Sequence, residues 1–299
     1  MRLAAVAVAL LALTACSDSN GGPSAAAGQT CSSYSGGIPG SRAGMLAYYR
    51  PGGYPVLFSQ GGDEPSTATA FATWIWRCGW TQAAGPDPNV WGYAMAYDPD
   101  LHETILVGAK TLGWNGQLWQ DLHVAPPLNL GVMSMVFDEA HHVLVLTDAY
   151  RAGLNTWTFD GGAWRKASTS GPANAAGAAL AYDPRSRAVL LFGAPPGAID
   201  DETWSWDGSA WHQLQPATSP PSGEAVMAYD EATRQMILVN WDQTTWEWTG
   251  ATWRRLDVAA PNYNSTARMV YDSAHGRLFY WVSGAVWTYA GSWRQDLSL

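Results

Sequence analysis

Beyond residue 16 the chain carries no segment with the 3.6-residue apolar period of a helix, and short apolar runs alternate with turn-forming clusters instead. One pattern recurs. An apolar run ends in an aromatic residue followed by Asp, at Tyr97-Asp98, Phe137-Asp138, Tyr182-Asp183, Tyr229-Asp230 and Tyr271-Asp272, with Tyr48-Tyr49 holding the place in a first, divergent copy. A second apolar run follows each, as in 188–192 or 235–239, and then a Trp-rich hairpin such as 203–211. The hairpin recurs at 156–164, 245–253 and 286–293, and in weaker form at 73–80 and 113–119. Each repeat therefore predicts four short strands, a to d.

Turn chemistry agrees at both joints. Asp98-Pro99 and Asp183-Pro184 suit a type I turn between a and b, and Asp160-Gly161 and Asp207-Gly208 suit a hairpin between c and d. Four strands repeated about every 45 residues predict the blade of a β-propeller, and six copies predict six blades. The expected fold is all-β, a six-bladed β-propeller over residues 41–299, with repeats at about 41–82, 90–123, 130–167, 175–214, 222–256 and 264–297. Trp residues of strands c and d are expected to pack between neighbouring blades. The side chains four residues past each turn Asp (His102, His142, Arg187 and Arg234) are expected to pair with that Asp or cover the turn.

The first residues carry a different signal. Met1-Arg2, an apolar run over 3–13 and Thr14-Ala15-Cys16 form a basic start, a short hydrophobic region and small residues before a cleavage point. That run is too short for a permanent bilayer span. Its ending resembles a lipobox, and this resemblance implies acylation of Cys16 and membrane attachment through a lipid anchor in a bacterial cell envelope, periplasmic or surface-facing. Residues 17–40, rich in Ser, Gly and Ala, read as a tether. Export implies an oxidising compartment, so Cys31 and Cys78 are expected to form a disulfide that staples the tail onto the first blade.

The aromatic-Asp turn, the second apolar strand and the spaced Trp pair resemble bacterial kelch-like repeats, also found in the propeller domain of galactose oxidase-like proteins. The chain departs from that pattern in keeping the Gly-Gly doublet only at Gly61-Gly62. The resemblance implies a binding face formed by the b–c and d–a loops. The copper chemistry of galactose oxidase does not carry over, because usable His residues are too few and the spare cysteines lie in the first blade region.

Composition narrows the function classes. With 16 Lys+Arg against 25 Asp+Glu and a net charge of −9, there is no basic stripe to neutralise phosphates, so no nucleic acid is expected. The 18 Trp and 13 Tyr demand burial or use in recognition. No nucleophile elbow, zinc spacing or phosphate-binding loop stands out, so no catalytic residue, metal or cofactor is assigned. The expected face offers Trp91, His123 and Tyr263 in d–a loops, and Asp148, Tyr150, Arg151, Asp200, Asp201, Glu202, Trp241 and Asp242 in b–c loops. Aromatics beside carboxylates suit a glycan, peptide or protein ligand. Adjacent Asp200, Asp201 and Glu202 do not alone make a Ca²⁺ cage. The function expected is a non-enzymatic binding module. The alternative is a polysaccharide hydrolase or lyase with Asp148, Asp200 or Asp242 as acid and base, and a purely structural envelope protein is a third reading.

Overall fold

In a computed structural model, the residues described are 39, 44–60, 71–84, 92–127, 132–149, 154–168, 171–172, 177–193 and 202–297. They form six four-stranded antiparallel sheets, each made of four consecutive strands. The first holds β1 (Gly44–Tyr49), β2 (Tyr54–Gln60), β3 (Phe71–Trp76) and β4 (Trp80–Gln82). The second holds β5 (Gly92–Asp98), β6 (Glu103–Gly108), β7 (Thr111–Trp114) and β8 (Trp119–Asp121). The third runs through β9 (Val132–Asp138), β10 (Val143–Ala149), β11 (Leu154–Phe159) and β12 (Trp164–Ser168). β13 (Ala179–Asp183), β14 (Ala188–Gly193), β15 (Glu202–Trp206) and β16 (Trp211–Leu214) make the fourth. The fifth contains β17 (Ala225–Asp230), β18 (Gln235–Asn240), β19 (Thr245–Trp248) and β20 (Trp253–Leu256). The last contains β21 (Arg268–Asp272), β22 (Arg277–Val282), β23 (Ala285–Tyr289) and β24 (Trp293–Leu297).

The first strands β1, β5, β9, β13, β17 and β21 touch one another in sequence, and β21 touches β1, so the ring closes. This is the six-bladed propeller that the repeats predict. Strand b of every blade is almost entirely buried, as in β14 and β18.

Blades are joined by one repeated bond. The indole Nε1–H that opens strand d donates to a Thr hydroxyl within the first three residues of strand c of the preceding blade. The pairs are Trp119–Thr73 (2.8 Å), Trp164–Thr111 (3.0 Å), Trp211–Thr156 (2.8 Å), Trp253–Thr203 (2.9 Å) and Trp293–Thr245 (2.9 Å). At the sixth junction Val286 takes the place of the threonine. Burying each Trp contributes roughly 4 to 6 kcal/mol of transfer free energy, before the entropy of ordering is subtracted. The hydrogen bond satisfies the donor that such burial strands. The Trp residues are thus interblade packing, as their spacing predicts.

The turn Asp is likewise structural. Asp98, Asp138, Asp183, Asp230 and Asp272 are all at most 2% exposed. Oδ1 of Asp98 accepts the backbone N–H of Asp100 and Leu101, and Asp138 and Asp230 cap their turns in the same way. The residues four places on belong to the turn, as expected, but through their backbone rather than by pairing with its Asp. His102, His142, Arg187 and Arg234 have φ between 54° and 58°, the left-handed position of the turn, which Gly53 (66°) and Gly276 (62°) occupy in the first and last blades. The side chain that reaches the turn Asp sits one residue earlier: His141 on Asp138 (2.8 Å), Thr233 on Asp230 (2.8 Å) and His275 on Asp272 (2.7 Å). His142 pairs instead with Asp100 of the preceding blade at 3.0 Å.

Candidate functional site

The inner strands enclose a central channel with two open cavities. Leu46, Met95, Met135, Leu180, Met227 and Met269, one from each blade, line both cavities, so an apolar girdle lies between them.

The cavity at the end bearing the a–b turns has a volume of about 460 Å³. The aromatic of every repeat lines it: Tyr48, Tyr97, Phe137, Tyr182, Tyr229 and Tyr271. Burial pushes the Tyr48 phenol up to about 12 and raises the other four tyrosines, so all stay neutral at physiological pH. Across this mouth the Arg50 guanidinium of the first blade meets Glu139 of the third (3.4 Å) and Glu231 of the fifth (3.2 Å). All three occupy the position after the aromatic-Asp pair. The same position is Pro99, Pro184 and Ser273 in the intervening blades. Burial raises the Glu231 pKa, Arg50 opposes that, and repulsion from Glu139 adds to it.

The cavity at the opposite end, where the inner strands begin, has a volume of about 370 Å³. Ser134, Glu224, Tyr263, Ser265 and Arg268 supply its polar lining, on walls of Ala94, Ala178, Ala179 and Val226. Arg268 opens β21, and the equivalent positions in the other blades are Met45, Ala94, Ser134, Ala179 and Val226. It is the one charged side chain in that ring. Its Nη1 donates to the carbonyls of Ser265 (3.1 Å) and Ala267 (2.7 Å). Desolvation lowers the Arg268 pKa, while Tyr263 and Glu224 oppose that shift. Tyr263 has its phenol pushed well above the usual range, by burial first and by the Glu224 charge second.

The residues expected on this face divide sharply. Tyr263 lines the mouth. Trp241 flanks it: the residue is 52% exposed, its Nε1 donates to the Ser222 carbonyl at 2.7 Å, and its backbone N–H donates to the Glu224 carbonyl at 3.0 Å. It lies so close over Gly223 that a Cβ there would come within 2.0 Å of its ring.

Others are occupied elsewhere. Asp148 lies within β10, not in a loop, is 1% exposed, and accepts from Asn155 Nδ2 at 3.5 Å. Asp242 accepts the backbone N–H and hydroxyl of Thr244 at 3.1 and 2.5 Å, and Glu202 begins β15 and accepts the Trp204 indole N–H at 2.8 Å. His123 follows the outermost strand β8 with φ 57°, its side chain 87% exposed beside Asp121 at 3.6 Å. Trp91, Tyr150, Arg151, Asp200, Asp201, Cys16 and Cys31 lie outside the described residues. Cys78 sits at φ 69° in the turn between β3 and β4. Among the described residues no group of three or more His, Cys, Asp or Glu side chains is arranged to hold a metal. No described helix is long and apolar enough to cross a membrane.

Arg268 escaped the sequence reading because it opens an inner strand rather than lying in a loop, and Glu224, in the loop before β17, carries no mark that separates it from other loop carboxylates. The signal was nevertheless present: aligning the six repeats isolates Arg268 among small and apolar equivalents.

No protein-family model and no curated protein matches the sequence. Solved structures do match the fold. A chain of a nidogen/laminin complex superposes with a TM-score of 0.53 at 14% identity, covering 81% of this chain and 87% of that one. XC5397, a gluconolactonase from Xanthomonas campestris, gives 0.57 at 11% identity over 87% of both chains. YjhT gives 0.57 at 11% identity, covering 87% of this chain and 98% of that one. At such identities the likeness is one of fold alone.

Proposed function

We propose that this chain is a non-enzymatic binding module, anchored in a bacterial cell envelope, that takes a glycan, peptide or protein at the channel mouth where the inner strands begin. The observation that carries the reading is the open cavity of about 370 Å³ in which Arg268, Glu224 and Tyr263 converge from separate segments on an otherwise small and apolar wall. A concave apolar site with a few convergent polar groups is the usual form of a ligand pocket. Of the carboxylates weighed for catalysis, Asp148 and Asp242 are hydrogen-bonded and line neither cavity, and Asp200 lies outside the described residues. Propellers of this shape occur in a laminin complex and in a gluconolactonase, so the fold suits binding as well as chemistry.

The test is a screen of the full chain against glycan and cell-wall peptide fragments, followed by Trp fluorescence, since Trp241 flanks the mouth. Ser265 is exposed at the rim, and Ser265→Trp would fill the entrance without touching the core. A saturable ligand lost in Ser265→Trp supports the reading, and a ligand bound equally well by that variant refutes it.

The kelch-like identity of the repeats belongs to the same proposal, as do the lipid anchor on Cys16 and the Cys31–Cys78 bridge. Metabolic labelling with a fatty acid should fail in Cys16→Ser. A non-reduced peptide map lacking the linked pair would refute the bridge.

A further inference from the structure

The mouth also constrains what its ligand must look like. Arg268 carries five N–H donors in a planar fork, and Nη1 alone makes the hydrogen bonds to the Ser265 and Ala267 carbonyls. Those two bonds fix one edge of the guanidinium to the start of β21. Nε and Nη2 have no hydrogen-bond partner among the described residues. Glu224 and Tyr263 line the same cavity and act on Arg268 through charge, while its hydrogen bonds among the described contacts go to the Ser265 and Ala267 carbonyls. The remaining donors of the fork are open to the cavity, where an anion can complete them.

The described lining narrows the anion. Among the described residues one guanidinium and one carboxylate line the cavity, so their formal charges cancel. A phosphate dianion would meet the Glu224 charge with only one cation to offset it, whereas a singly charged carboxylate matches the fork in both charge and geometry. Glu224, which accepts hydrogen bonds and donates none when ionised, then requires a donor elsewhere on the same molecule.

We infer that the ligand carries a carboxylate gripped by Arg268 and, on the same molecule, a hydroxyl or amine donor directed at Glu224; this deepens the binding reading and depends on it.

The test uses matched probes on the full chain, followed by calorimetry: glucuronate against glucose, and an unblocked dipeptide against its C-terminal amide. The expected result is saturable binding of at least one carboxylate member. Its partner lacking the carboxylate should bind at least tenfold more weakly, and the preference should be lost in Arg268→Gln and kept in part in Arg268→Lys. Because Arg268 borders the core, the ligand-side comparison on the unaltered chain decides the matter even if both variants fold poorly. Equal binding of the acid and its partner lacking the carboxylate overturns the carboxylate inference while leaving a binding mouth in place. Failure of all four probes to bind overturns it as well. Acid-selective binding that survives Ser265→Trp unchanged places the carboxylate outside this mouth and overturns both readings.

Discussion

The interblade Trp–Thr bond makes a prediction that can be worked from one pair. Thr203 and Trp253 are each 1% exposed, and the indole N–H meets the hydroxyl at 2.9 Å across the junction of the fourth and fifth blades. Thr203→Val keeps the shape of the side chain, so no cavity opens, but it strips the acceptor from a donor that water cannot reach. Leaving such a donor unsatisfied costs about 1–3 kcal/mol. For a domain of this size, at about 2 °C per kcal/mol, that corresponds to a loss of roughly 2 to 6 °C in Tm. The assay is thermal unfolding of Thr203→Val, Trp253→Phe and the double variant. Trp253→Phe removes the donor, so Thr203→Val should cost almost nothing in that background. A coupling of about 1 kcal/mol or more is expected from the cycle. Additive effects of the two substitutions would refute the claim that this bond ties the blades together.

Gly53 sits at φ 66° with no atom closer than 3.6 Å to where a Cβ would stand, so Gly53→Ala should cost about 1–2 kcal/mol through backbone conformation alone, measured by denaturant unfolding. Arg50 and its two glutamates are each nearly half exposed, so Arg50→Met should change stability by less than about 1 kcal/mol; a larger loss would mean that the clasp holds the ring together. The Asp160 carboxyl is held down to about 2 by Arg165, first, and by two backbone N–H groups, and Asp207 is held well below the usual carboxylate range by His212 and its turn. Both folded pKa values lie below the unfolded ones, so their stabilisation is present above about pH 4 and is lost as pH falls toward 2. The Tm difference between the natural chain and Asp160→Asn should therefore shrink over that range, and a difference that stays constant would contradict the assignment.

The architecture was legible because its determinants are local and repeated. The aromatic-Asp pair marks the end of each inner strand, and the Thr and Trp of each hairpin mark the faces that meet between blades. A single-residue role was harder to read. His102 and its equivalents share a sequence position, but the position is defined by backbone conformation, which side-chain identity hides: His and Arg stand where Gly53 and Gly276 would be expected. The site was the least legible part. Which carboxylate lies free at a mouth and which is tied into a turn depends on contacts across blades. Asp242 and Glu224 look equally available in the sequence, yet Asp242 is bound to Thr244 and Glu224 lines the cavity. Arg268 hides in a strand because only closure of the ring brings the starts of six separate strands around one opening.

The central claim is that ligand enters at the mouth where the inner strands begin. Hydroxyl-radical footprinting with a bound hit from the fragment screen tests it most directly, because a tyrosine reports on each end of the channel. The account predicts protection of Tyr263 with Tyr97, Tyr182 and Tyr229 unchanged. Protection of those three with Tyr263 unaffected would place the binding site at the opposite mouth and contradict it.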